Sequence, residues 1–135
     1  MRKLFDNIKA VYTLDAETYT AVTVGAHVVD TQGYGDGMLV ALAGDITNTT
    51  GDTYTVQVLE CDTSTGTFTT TGIELTFTGG GSIANTLQVA RIAELNVTRK
   101  RFLRADLTCT ATTTSFEGAA VILLGEGSTG AVNSD

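Results

Sequence analysis

The sequence predicts a single all-β domain, an antiparallel β-sandwich or jelly roll of about eight strands with a short N-terminal arm. Three observations lead there. Threonine fills 26 of 135 positions, and a β-branched side chain stiff at χ1 suits a pleated, half-exposed surface better than a helix. Short apolar segments recur at strand length, several with period-two alternation, and Gly, Asn and Asp separate them. Proline is absent, so strand edges must be protected by charge, by Thr or by a partner chain.

A chain of 135 residues with 42% hydrophobic and 17% charged residues buries a core without disulfides or a structural metal. It is too apolar and too weakly charged for the intrinsically disordered class. Residues 1–10 read as the arm, because Leu4, Phe5 and Ile8 fit one turn of a helix too short to stand alone. Residues 11–125 form the domain, and 126–135 a flexible Gly/Ser tail.

Within the domain, Tyr19–Val24 alternates Thr with Val22 and Val24, Gly25 breaks the run, and Ala26–Val29 continues it briefly. Three glycines between Gly33 and Gly37 mark a turn. Met38–Ala43 is continuously apolar, as in a central strand buried on both faces. Asn48–Asp52 is a polar turn. Tyr54–Val58 alternates most regularly, with Tyr54, Val56 and Val58 on one face. At Leu59 and Cys61 the apolar parity changes, which predicts a β-bulge or a strand passing between sheets.

Asp62–Gly66 reads as a hairpin turn. Ile73, Leu75 and Phe77 then alternate with Glu74 and Thr76, and Gly79–Ser82 reads as a loop. Residues 83–97 fit either a helix (Leu87, Arg91, Leu95) or a strand (Leu87, Val89, Ile92), and the strand-rich surroundings favour a strand. In Phe102–Thr110 the pattern points Leu103, Ala105, Leu107 and Cys109 inward, with Arg104, Asp106 and Thr108 outward. Ala119–Leu124 is the last buried strand.

A net charge of −7 and a pI near 4.5 oppose binding to nucleic acid or to an anionic membrane. No apolar h-region follows Arg2-Lys3, and no run approaches the roughly 20 apolar residues of a membrane span. The chain therefore reads as a cytosolic, unprocessed product. Cys61 and Cys109 lack CxxC spacing and read as free, buried thiols, with a disulfide between adjacent strands as the alternative.

No catalytic constellation assembles. Gly125–Gly130 matches GxGxxG, but a dinucleotide site needs a helix directly after it. His27 is the sole histidine, which leaves His-based metal sites and Ser-His-Asp chemistry without partners. Asp30, Asp36, Asp45, Asp52 and Asp62 fall at turns, where Asp bonds nearby amides, and none reproduces a calcium-loop spacing. Glu60 and Glu74 are conceivable glycosidase carboxylates, but there is no Trp to stack on sugar. The expectation is no enzyme activity, no metal and no cofactor.

One basic cluster stands out in this acidic chain: Arg99, Lys100, Arg101 and Arg104, flanking Phe102. Four cations cover only a few phosphates against an opposing global field. An acidic protein surface is the better match, because Arg pairs bidentately with carboxylates.

The order of Val29–Tyr34, Ala43-Gly44-Asp45, Tyr54–Asp62 with Phe68, Lys100-Arg101-Phe102-Leu103-Arg104 and Ala120–Gly125 resembles a family from the structural gene clusters of tailed phages. These are head decoration (cement, capsid-stabilising) proteins. The resemblance covers about residues 25–125, and its most specific piece is the "KRYxR"-like segment, here with Phe102 in place of Tyr. The family's usual Pro-containing tail is missing.

The resemblance implies a virion protein on the capsid exterior, made in the host cytoplasm, with the major capsid protein as partner and self-association as a dimer or trimer. Candidate capsid contacts are Arg99, Lys100, Arg101 and Arg104, together with Leu4, Phe5 and Ile8 of the arm. The alternatives are a carbohydrate- or host-surface-binding sandwich using Tyr34 or Tyr54, and a tail or neck structural protein.

Overall fold

Alternating, β-branched segments build eight strands in a computed structural model that describes residues 8–47, 52–78, 86–110 and 115–125. They are β1 (Lys9–Tyr19), β2 (Val29–Asp30), β3 (Asp36–Thr47), β4 (Thr53–Cys61), β5 (Thr69–Thr78), β6 (Thr86–Ile92), β7 (Phe102–Cys109) and β8 (Ser115–Gly125). Two four-stranded sheets result, in the orders β1-β8-β3-β6 and β2-β7-β4-β5, with every pairing antiparallel. The chain is an all-β sandwich, as the Thr content and alternation predict.

Leu39, Ala41, Ile122 and Leu124 from one sheet meet Val56, Val58, Leu103 and Leu107 from the other, all at 0% exposure. Aromatic rings fill one end of the core: Tyr54 stacks on Phe116 at 5.0 Å, and Phe77 tilts against Phe116 at 5.6 Å. Side chains stitch both open flanks of the sandwich. On one, the Thr13 hydroxyl of β1 accepts the Ala105 N–H of β7 at 2.7 Å. On the other, Gln88 of β6 donates to the Thr76 carbonyl of β5 at 3.0 Å.

The β4 reading holds throughout. Tyr54, Val56 and Val58 are buried, and the β4–β5 register shifts between Gln57 and Leu59, where the parity change predicts a bulge. Residues 62–66 turn the chain into β5, on which Leu75 and Phe77 are buried. Of the 83–97 stretch, Thr86–Ile92 is a strand, and residues 94–97 turn with Glu94 and Asn96 at positive φ (59° and 60°).

Four expectations need correction. The domain starts earlier than residue 11, since Lys9 and Ala10 already pair with Leu124 and Leu123. Tyr19–Val24 is not a strand: β1 ends at Tyr19, a single bridge joins Thr23 to Leu107, and Val22 and Val24 lie about 60% exposed. β3 is central but buries one face only, with Met38 and Leu42 exposed at 40% and 50%. Asp106, on the outward side of β7, is itself buried, because the Gly25 N–H and the Arg104 guanidinium close on its carboxylate.

Leu4 and Phe5, the turn residues 48–51, the Gly79–Ser82 loop and the tail 126–135 lie outside the described residues.

Candidate functional site

Each cation of the basic cluster carries a carboxylate of the same chain. Arg101 grips Asp30 with two hydrogen bonds of 2.8 Å, and this holds the Asp30 carboxyl below the usual carboxylate range. Arg104 forks onto Asp106 at 2.7 and 2.9 Å, with its guanidinium 4.4 Å from the Phe68 ring centre. Arg99 lies 3.7 Å from Glu60, and Lys100 lies 3.3 Å from Asp62. The Lys100 N–H also donates to Glu60 at 3.0 Å.

The strand-turn-strand path explains these pairings. β2 runs beside the start of β7 through Asp30↔Phe102, and the end of β4 runs beside it through Cys61↔Phe102. Carboxylates remote in sequence therefore converge on residues 99–104. The Lys100–Arg104 segment has a structural role on its own account: it closes the end of the second sheet. An acidic partner docking here must displace pairs already made, so the cluster is a poor free cation patch.

The remaining candidates separate cleanly. His27 is exposed with Nε2 3.1 Å from Asp15. Asp36 is held below the usual carboxylate range by the forked Arg91. Glu60 stands opposite Thr69 and Glu74 opposite Gln57, and Glu60 is already bonded to residues 99 and 100, so the two do not work as a catalytic pair. Gly125 ends β8, and the rest of the GxGxxG match lies outside the described residues. Cys61 sits opposite Phe102 and Cys109 opposite Tyr54, at opposite ends of the β4–β7 ladder. Neither cysteine is in a disulfide, and that distance excludes the disulfide alternative. Cys61 is buried as expected, but Cys109, at the end of β7, is only half-buried.

Tyr54 is 1% exposed and stacked inside the core, so it offers no ring to a sugar. Tyr34 is half-buried, and burial raises its phenol above the usual range.

The feature the sequence does not announce is the outer face of the β1-β8-β3-β6 sheet. Its cross-strand register lines up Tyr12, Val121, Val40 and Val89 in one row. A second row holds Ala10, Leu123, Met38 and Arg91, and a third Ala119, Leu42 and Leu87. Tyr12, Met38, Leu42, Leu87 and Val89 are five of the nine large apolar residues exposed among the described residues.

The opposite outer face differs in kind, with rows Thr108-Thr55-Thr76 and Gln57-Glu74, the latter ending at the buried Asp106. An antiparallel sheet ordinarily turns a polar face to water. The second sheet follows that rule and the first breaks it.

Two depressions flank the apolar rows. One of about 510 Å³ lies between Leu42 and Ala119, with Glu17 and Glu117 at its rim. The other, about 200 Å³, lies at the opposite end, lined by Ile8, Met38 and Leu123. Ile8, the one arm candidate among the described residues, therefore joins the apolar face.

No protein-family model matches the chain, and no curated protein matches it. Among solved structures, the fold is similar to a crystal structure of endo-1,4-β-D-xylanase 10B of Clostridium thermocellum, comprising its CBM22-1 and GH10 modules complexed with xylohexaose. The TM-score is 0.47 at 14% sequence identity, over 93% of this chain and 27% of that one. The chain thus spans less than a third of that polypeptide.

Proposed function

We propose that the chain is a virion structural protein that decorates an expanded icosahedral phage head. It bridges major capsid subunits and stabilises the shell, docking through the apolar outer face of the β1-β8-β3-β6 sheet. The observation that carries the docking surface is the contrast between the two outer faces, one Thr-rich and charged, the other built from Tyr12, Met38, Val40, Leu42, Leu87 and Val89. The phage assignment rests on the resemblance over residues 25–125.

Magnitude fits this role. Four strands at about 4.8 Å spacing and seven residues at about 3.4 Å rise give a face of roughly 450 Å². That is the size of a large, often functional patch on a monomer. Buried against a partner it contributes about 900 Å² in total, below a standard stable interface. One copy therefore binds weakly, and many copies on a repeating lattice, each touching two subunits, hold by avidity. A tail or neck position would use the same face. A glycan-binding role has less support, with Tyr54 in the core.

Purified protein added to expanded, undecorated heads is expected to raise their melting temperature, saturating at a fixed copy number. Absence from heads recovered in a pull-down sinks the proposal.

A further inference from the structure

We infer that β6 is a pairing edge for a second copy of this chain, joined antiparallel to its own counterpart about Val89. The comparison of the four sheet edges leads to this.

Exposed edges invite pairing, and soluble sheets blunt them with bulges, shortness or side-chain caps. β1 carries two register shifts against β8, on either side of Leu14. β2 is two residues long. β5 is broken by the shift opposite Gln57–Leu59 and by Gly72 at φ 82°. Two of its carbonyls are also used by side chains, Thr76 by Gln88 at 3.0 Å and Thr71 by Arg99 at 3.5 Å.

Among the described residues, β6 is tied to β5 by the Gln88 side chain alone, and it has no bulge. Gly37–Ala43 pairs with Ile92–Thr86 residue for residue without a shift. β6 ends its sheet order, so among the described residues no strand pairs with its outer backbone edge, and β5 reaches it only through the Gln88 side chain. Its sequence, Thr-Leu-Gln-Val-Ala-Arg-Ile, has no proline or lysine to blunt the edge.

The occupant is a second copy because the strand is complementary to itself. Centred on Val89, a two-fold axis through the sheet sets Val89 opposite Val89, Leu87 opposite Arg91 and Gln88 opposite Ala90 of the other copy. Outward residues then meet outward residues, as an unbroken sheet requires. Arg91, the single charge on the strand, stands four residues along from its counterpart. At about 3.4 Å per residue that is about 14 Å, beyond the Debye length of about 8 Å at physiological salt. Asp36 already offsets each guanidinium at 2.9 Å.

The product is an eight-stranded sheet with its apolar outer face doubled in width. Two strands about 24 Å long, about 10 Å deep, bury on the order of 500 Å². That area is small for a stable dimer, so pairing is weak in dilute solution and strengthens where copies are concentrated on a surface.

The test uses the purified chain alone, so its outcome is separable from whether heads are the docking partner. Sedimentation velocity across protein concentrations is expected to show a reversible 14.1 kDa monomer to dimer transition. V89K, an exposed substitution that sets two cations face to face, weakens it at least tenfold. Y12K, on the far edge of the same face, leaves it unchanged. Val89→Cys cross-links to its counterpart under mild oxidation, whereas Val22→Cys does not.

A monomer at every concentration overturns the inference, as does a dimer indifferent to V89K. Equal loss in V89K and Y12K would mean face-to-face stacking, and also overturns it.

Discussion

Removing the Asp106 carboxylate should detach residues 20–28 from the second sheet. Asp106 is 8% exposed. One of its oxygens accepts the Gly25 N–H at 2.8 Å and Arg104 Nε at 2.7 Å, and the other accepts Arg104 Nη2 at 2.9 Å. In Asp106→Ala the Gly25 amide loses its acceptor, and Arg104, its side chain only 19% exposed, loses its counter-ion. Breaking one side of a buried pair costs about 3–5 kcal/mol. Arg104 keeps its place over Phe68 and some solvent, which sets the expected loss near the lower end, about 3 kcal/mol.

Asp106→Asn keeps an acceptor for Gly25 and loses only the charge, so about half that loss is expected. Urea unfolding measures both, and amide exchange at Gly25 reports the local release. A loss under about 1 kcal/mol for Asp106→Ala, or unchanged protection at Gly25, would refute the reasoning.

Gly25→Ala should cost at least as much in urea unfolding, because a Cβ there would stand 2.2 Å from the Ala105 carbonyl oxygen, a backbone atom with nowhere to retreat. Acid titration should show a limb from Asp30 and Asp36. Both carboxyls are held below their ordinary range by Arg101 and Arg91. Their contribution is full above the unfolded carboxylate pKa of about 3.9 and is lost as pH falls through the lower folded values. Stability measured from pH 5 to pH 2.5 should fall, and Asp30→Asn should flatten that slope. Alkylation under native conditions should label Cys109 before the buried Cys61, and both without reductant after unfolding, since neither is bonded.

Much of the fold was legible because local pattern and tertiary environment agree. β4 alternates with buried Tyr54, Val56 and Val58, and the parity change at Leu59 became a bulge. β1 escaped notice because its two register shifts scramble alternation in Lys9–Tyr19. Val22 and Val24 imitated a strand, yet the segment runs beside the edge of β7 and makes a single bridge there. Met38–Ala43 read as buried on both faces because an apolar run does not reveal that one side faces outward.

The site was less legible still. The pairs neutralising Arg99–Arg104 join residues as far apart as Asp30 and Arg101, 71 positions along the chain. The apolar rows draw on β1, β3, β6 and β8 at once, and only sheet order and register bring Tyr12, Val121, Val40 and Val89 into line. Exposed aliphatic residues on strands were the signal available, and they look like core residues until the neighbours are known.

Binding of face variants to undecorated, expanded heads tests the central claim most directly. Leu42→Lys and Tyr12→Lys charge the apolar face at exposed positions, and Thr76→Lys charges the opposite face while leaving the first untouched. The account predicts that Thr76→Lys binds like the parent and that the other two lose at least tenfold in affinity with unchanged unfolding midpoints. Full binding by Leu42→Lys and Tyr12→Lys, with loss in Thr76→Lys, would contradict it.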